Sequence, residues 1–218
     1  MTAIIFDLDG TLIDSAPDIH AAVARTLAEE GQPPPDFVTV RGFIGNGVPI
    51  LIDRVMAARQ EPADAGRRAD LIARFLRHYE AASADLTTVY PGVRDALTAL
   101  RAAGHPIGLC TNKPQGAACD VLAAFDLLVF FEVIIGGDSL PERKPHPAPL
   151  MATLRALGQT RALFVGDSEV DAETAVAAKV PFLLYTEGYR KTPVDALAHR
   201  AAFADFRDLP GLVAHEDA

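Results

Sequence analysis

Short, unbroken apolar runs alternate with amphipathic stretches along most of this chain. Ala3-Ile4-Ile5-Phe6, Ile107-Gly108-Leu109-Cys110, Val133-Ile134-Ile135, Ala162-Leu163-Phe164-Val165 and Phe182-Leu183-Leu184 are such runs. Each is too continuous to have a wet face, so each reads as a strand buried on both sides. Between them, Val93 to Ala103, closed by Gly104, and Pro147 to Leu157, closed by Gly158, read as helices. Buried strands alternating with helices predict an α/β fold: a doubly wound, Rossmann-like, mostly parallel sheet with helices on both faces. In such sheets ligands bind outside the carboxyl ends of the strands.

One stretch breaks the rhythm. From Ser15 to about Asp85 no strand pattern appears. Ile19, Val23 and Leu27 recur every fourth residue, with Pro17 suited to a first helical turn. Leu51, Ile52, Val55 and Met56 form a second stripe; Leu71, Ile72, Phe75, Leu76 and Tyr79 form a third. Gln32-Pro33-Pro34-Pro35 is a stiff connector between the first two. The expected organisation is a core domain of residues 1–14 and 87–218, with a small helical cap domain of residues 15–86 inserted after the first strand.

Composition narrows the partners. Lys and Arg number 20 against 29 Asp and Glu, a formal charge of −9 on 218 residues. Such a surface repels phosphate backbones and anionic membranes, which argues against nucleic acid or a membrane as partner. The most apolar segment, Val121 to Ile135, is interrupted by Asp126 and Glu132 and is too short to span a bilayer. Cys110 and Cys119 lie outside any Cys-x-x-Cys or Cys/His cluster and read as two buried thiols of a reducing compartment. No basic-then-apolar leader opens the sequence, so a cytoplasmic protein, monomer or weak homodimer, is expected.

Four segments carry candidate chemistry. Asp7-Leu8-Asp9-Gly10-Thr11 follows the first strand directly. Residues two apart in extended chain point the same way, so Asp7 and Asp9 can face one pocket. Carboxylates that close raise each other's pKa unless a cation intervenes; one can serve as nucleophile while the other holds a proton as acid. Gly10 permits a sharp departure of the chain. Gly166-Asp167-Ser168-Glu169-Val170-Asp171 follows another strand, and the four-residue spacing would put Asp167 and Asp171 on one face of a first helical turn. Hard oxygen ligands of this kind suit Mg²⁺, although helix capping is the plain alternative. Leu109-Cys110-Thr111-Asn112-Lys113 offers a hydroxyl, an amide and backbone N–H groups able to grip phosphate oxygens. Arg143-Lys144-Pro145 holds one of only four lysines, a compact charge able to stabilise a phosphoryl oxygen or a nucleophile.

In this order, the four segments resemble the motifs of the haloacid dehalogenase superfamily, over essentially the whole chain, and residues 15–86 resemble its small helical cap. The resemblance implies that Asp7 attacks phosphorus and that Asp9 protonates the leaving oxygen, then activates water. It implies that Thr111, the backbone at Asn112 and Lys144 hold the phosphoryl group. Mg²⁺ would sit on Asp7, the main-chain carbonyl of Asp9, and Asp167, with Asp171 supporting. Two departures stand out. Val170 occupies a position where many relatives have Asn, and Lys179 one where a helix-ending Gly is usual, at a cost of about 1 kcal/mol if left-handed.

The cap is expected to choose the substrate, a small anionic phosphate ester. Arg41-Gly42-Phe43-Ile44-Gly45-Asn46-Gly47, with Thr111-Asn112-Lys113-Pro114 and Lys144-Pro145-His146-Pro147, looks most like the phosphoglycolate phosphatases of the superfamily. By that resemblance the carboxylate of 2-phosphoglycolate would meet the loop containing Gly45 and Asn46, with Lys113 or Arg41. A plain helix–helix turn is the other reading of this loop. A phosphatase for another small ester or a sugar phosphomutase would share the core. A receiver-like signalling module also phosphorylates an Asp beside Mg²⁺, but on a mid-chain strand and without a helical insertion.

Overall fold

The computed structural model describes residues 2–62 and 64–217. Five strands stand where the apolar runs lie: β1 (Ala3–Phe6), β4 (Ile107–Cys110), β5 (Val133–Ile135), β6 (Ala162–Gly166) and β7 (Phe182–Tyr185). A sixth, β8 (Ala201–Phe203), joins the edge; at three residues and with an exposed centre it has no readable alternation. The order is β5-β4-β1-β6-β7-β8, with every neighbouring pair parallel. β1 is therefore the switch point: the chain moves outward through β4 and β5, then returns to β6 on the other side of β1.

Side chains leave β1 alternately. Ile4 and Phe6 pack under α5 (Val93–Ala102), α6 (Gln115–Ala124) and α9 (Leu209–Asp217), while Ala3 and Ile5 pack under α7 (Ala148–Ala156) and α8 (Glu169–Ala178). This explains why the strand has no polar position: both faces are covered. Cys110 is buried, but Cys119 on α6 is only half-buried, so the expectation of two buried thiols fails for one of them.

α1 (Ala16–Ala28), α2 (Phe37–Arg41), α3 (Val48–Ala58) and α4 (Ala65–Glu80) bury the three stripes in a separate cluster, into which the core helix α6 inserts Ala117. Both chain crossings to this cluster run side by side as a short antiparallel ribbon, β2 (Ile13–Asp14) with β3 (Thr88–Val89). Asp18 on the first turn of α1 closes the ribbon. Its carboxylate, 2% exposed, accepts from Leu86 N at 3.0 Å, Thr87 N at 2.8 Å and Thr87 Oγ1 at 2.7 Å. Among the described residues no helix is long and apolar enough to cross a membrane.

Helix α8 ends at Lys179 with φ 57° and ψ 38°, the left-handed conformation that glycine adopts at lower cost. Lys179→Gly is expected to stabilise the protein by about 1 kcal/mol in urea unfolding; an unchanged or lower midpoint would refute the strain. Asp18→Ala, which strands the two backbone donors of Leu86 and Thr87, is expected to cost roughly 2–3 kcal/mol in the same assay.

Candidate active site

The end of β1 delivers the first group. Asp7 N continues the ladder by donating to Val165 O at 2.9 Å, and the side chain, 6% exposed, emerges at the floor of a cleft between the sheet and the cap helices. The chain then doubles back: Thr11 N and Leu12 N donate to Leu8 O at 3.1 and 2.9 Å, and Gly10 takes φ +88°. Only glycine fits there, because a Cβ would stand 2.5 Å from Asp167 Oδ2. This turn puts Asp9 in the same cleft as Asp7 and turns Thr11 Oγ1 to Asp167 Oδ1 at 2.8 Å.

The second and third carboxylates come from the β6–α8 junction. β6 runs to Gly166 and α8 begins at Glu169, so Asp167 lies before the helix and does not share a helical face with Asp171 as the spacing had suggested. The two converge by another route. Asp171, three residues into the helix from the Ser168 cap, turns back and accepts from Ser168 N at 3.2 Å and Ser168 Oγ at 2.7 Å. Asp167 is fixed by Thr11 and by Tyr189 N, which donates to Oδ2 at 2.6 Å. Asp7, Asp167 and Asp171 each bring one carboxylate oxygen within 4.8 Å of the others, all buried.

One cation faces these three anions. Lys144 Nζ donates to Asp171 Oδ1 at 2.6 Å and pairs with Asp7 Oδ1 at 2.9 Å. Asp7 Oδ1 is buried and meets no donor but that ammonium among the described residues. Burial, then the charge of Asp171, pushes Asp7 up to about 6, with Lys144 working against the rise. Burial, then Asp171 and Asp7, lifts Asp167 well above the usual carboxylate range. Burial disfavours the Lys144 ammonium, but Asp171 and Asp7 outweigh it and raise its pKa. Three buried carboxylates facing a single lysine are relieved either by proton uptake, as the raised pKa values of Asp7 and Asp167 express, or by a further cation. The donor set is all hard oxygen and fits a divalent ion such as Mg²⁺.

Around this cluster stand groups able to bind an anion. Thr111, 3% exposed at the end of β4, lines the cleft with Asn112 and Lys113. The Asn112 side chain is committed elsewhere: Nδ2 donates to Lys144 O at 2.9 Å and to Gly45 O at 3.0 Å, and Oδ1 accepts from Lys144 N at 3.0 Å. It thereby holds the Lys144 backbone and the cap loop together. Gly47, at φ +83°, comes so close that a Cβ would lie 3.1 Å from Asn112 O. Lys113 Nζ bonds both oxygens of Asp9, at 2.8 and 3.1 Å, while Ser15 Oγ donates to Asp9 Oδ1 at 2.6 Å.

Two of the candidate substrate-binding residues fall outside the cleft lining. Arg41 donates to Gly188 O at 2.8 Å and lies over the Tyr189 ring at 5.1 Å. Asn46 accepts from Arg54 Nη2 at 2.8 Å. Both fasten the cap loop instead of facing Asp7. Conversely, Tyr79 lines the cleft, although its place in a helical stripe marked it only as apolar. Ser15 and Ser168 meet Asp9 and Asp171 locally, the second in a capping box that the Ser-x-x-Asp spacing could have signalled, whereas Tyr189 reaches Asp167 from 22 residues away with no local pattern to mark it.

Comparison with known proteins places this geometry. Residues 4–185 match the family model described as haloacid dehalogenase-like hydrolase. A phosphoglycolate phosphatase of Cereibacter sphaeroides is 58% identical over 213 residues, covering 98% of each chain. One of Rhodobacter capsulatus is 46% identical, covering 97% of this chain and 96% of its own. The crystal structure of a predicted phosphoglycolate phosphatase from Haemophilus somnus 129pt superposes with a TM-score of 0.91 at 31% identity, covering 98% of both chains.

The acidic cluster sets a pH signature. In metal-free protein Asp7 holds its proton more tightly folded, at about 6, than unfolded, at 3.8. Its contribution to stability is therefore complete below pH 4 and lost as pH rises through 6, by roughly 3 kcal/mol. A bound divalent ion would remove that loss. The rise in melting temperature caused by Mg²⁺ over EDTA is expected to be larger at pH 7 than at pH 5; a larger rise at pH 5 would contradict the assignment.

Proposed function

The chain belongs to the haloacid dehalogenase-like hydrolases, and we propose that it hydrolyses 2-phosphoglycolate to glycolate and phosphate through an aspartyl-phosphate on Asp7, with Mg²⁺. It is a phosphoric monoester hydrolase, as its relatives at 46 and 58% identity are. The observation that carries the finer reading is the buried Asp7 carboxylate, one oxygen of which faces only the Lys144 ammonium, set beside Asp167 and Asp171 at the sheet's switch point.

Asp7 attacks phosphorus in line with the ester oxygen. The P–O ester bond breaks as the bond to the Asp7 carboxylate forms, and the departing glycolate oxygen takes a proton from Asp9. Asp9, now a carboxylate, takes a proton from water, whose oxygen attacks the same phosphorus and returns Asp7 and free phosphate. Lys144 stays charged next to Asp7 and, with Thr111 and the Asn112 backbone, meets the equatorial oxygens. Asp7, the Asp9 carbonyl and Asp167, with Asp171 behind them, would hold Mg²⁺, which supplies charge neutralisation at the transferring group.

Residues 15–86 act as the cap over residues 1–14 and 87–218. Gly45 brings the cap loop to the rim of the cleft, and Lys113 is the cation placed for the substrate's carboxylate. Arg41 and Asn46, expected to share that contact, are assigned to fastening the loop. The acidic surface and the two free cysteines support a cytoplasmic setting.

Phosphate release from a panel of small esters tests this. Asp7→Asn is expected to lose more than about 10⁴-fold in kcat, Asp9→Asn roughly 10²- to 10⁴-fold, and EDTA to abolish turnover until Mg²⁺ is restored. Turnover surviving Asp7→Asn would end the covalent reading, and indifference to EDTA the metal reading.

A further inference from the structure

The cap's side of the cleft is formed largely by Ile19, Ile44, Val48, Leu51, Phe75 and Leu76, which offer no polar side-chain atom to a ligand. Tyr79 is the exception. It is 3% exposed, and its hydroxyl, beside the Lys113 ammonium, has no acceptor for its own proton among the described residues. Leaving a buried hydroxyl donor unpaired costs about 1–3 kcal/mol, so its presence in a ligand cleft points to a partner that arrives with the ligand. The ring cannot turn freely: it stacks on Phe75 with centroids 5.7 Å apart and planes 7° from parallel. On its other contact, Lys113 Nζ stands 4.5 Å from the ring centroid.

Lys113 is the sole lysine or arginine along the cleft lining, since Arg41 and Arg54 bond elsewhere. An ammonium carries three donors; here both Asp9 oxygens draw on them, and the Tyr79 ring covers another side. The Tyr79 hydroxyl is the uncommitted donor beside that cation. Burial pushes the phenol above its ordinary pKa, which keeps it a donor at neutral pH.

Taking the phosphoglycolate reading as its basis, we propose that Tyr79 and Lys113 form the recognition site for the substrate's carboxylate, with the Tyr79 hydroxyl donating to it and setting specificity. The phosphoryl end is then bound among Asp7, Thr111 and Lys144, and the far end by a paired charge and hydroxyl supplied by core and cap together. A phosphate ester with an apolar end reaches the same cleft but leaves the hydroxyl unpaired. Discrimination by a site built to hydrogen-bond its substrate rests on that penalty.

The test compares Tyr79→Phe with the wild type on 2-phosphoglycolate and on ethyl phosphate, the two-carbon ester without the carboxylate. Phenylalanine keeps the stacking on Phe75. The variant is expected to lose roughly 10- to 100-fold in kcat/KM on 2-phosphoglycolate, chiefly in KM, and less than about threefold on ethyl phosphate. Both substrates are assayed on one preparation, so a partly unfolded fraction lowers both rates equally and leaves their ratio intact. A wild type that prefers 2-phosphoglycolate, with the same ratio in the variant, would overturn the role of Tyr79 alone. A wild type indifferent between the esters would overturn the substrate reading, and this inference with it.

Discussion

Everything at the site depends on one buried ammonium, that of Lys144, set against three carboxylates. Asp7, Asp167 and Asp171 approach one another to within 4.8 Å with almost no access to water. Carboxylates so arranged repel, and burial alone already penalises their charge. Lys144, bonded to Asp171 and paired with Asp7, is the cation the chain itself provides, and it does not balance the cluster. Protons on Asp7 and Asp167 offset the imbalance at low pH, and under the proposed mechanism a divalent ion would do so at neutral pH. Thr11, Ser168 and Tyr189 N hold the carboxylates of Asp167 and Asp171 in place, as a site for the proposed ion would require.

Positioning across the two layers follows from a few polar links. Asp18 ties the start of α1 to the returning chain at Leu86 and Thr87, next to the β2–β3 ribbon. At the far rim, Asn112 joins the cap carbonyl of Gly45 to the backbone of Lys144. Arg41 reaches from the cap to Gly188, whose neighbour Tyr189 holds Asp167. The cap loop is thus bonded on two sides to segments that carry site residues. A shift of that loop would be felt at Lys144 and Asp167 before any substrate atom is touched.

Much of this was readable along the chain. The apolar run ending in Asp7 located a buried strand and its carboxylate, because a strand buried on both faces must be continuous and its first polar residue must leave the sheet; its central place came from the strand order. The cap stripes at Ile19 to Leu27, Leu51 to Met56 and Leu71 to Tyr79 were legible because their period is local. β8 and the two-residue strands β2 and β3 were not, being too short for any period to show. The strained helix end at Lys179 was anticipated and is left-handed.

The limits lie where contacts span long stretches of chain. Spacing suggested one helical face for Asp167 and Asp171, whereas their meeting depends on where β6 stops and on a capping residue that turns back. Thr11 meets Asp167 across 156 positions, and Lys113 meets Asp9 across 104. Arg41, Asn46 and Lys113 were equal candidates in the sequence; packing sent the first two to Gly188 and Arg54 and left the third in the cleft. Tyr79 read as one more apolar position until its hydroxyl proved to be buried without an acceptor among the described residues. By itself, then, the sequence determined the five apolar strands, the helical insertion and the identities of the acidic groups, since these follow from local periodicity and residue chemistry. Tertiary structure alone decided which side chains share the cleft and which are spent on holding it together, because burial and hydrogen-bond commitment are properties of neighbours in space.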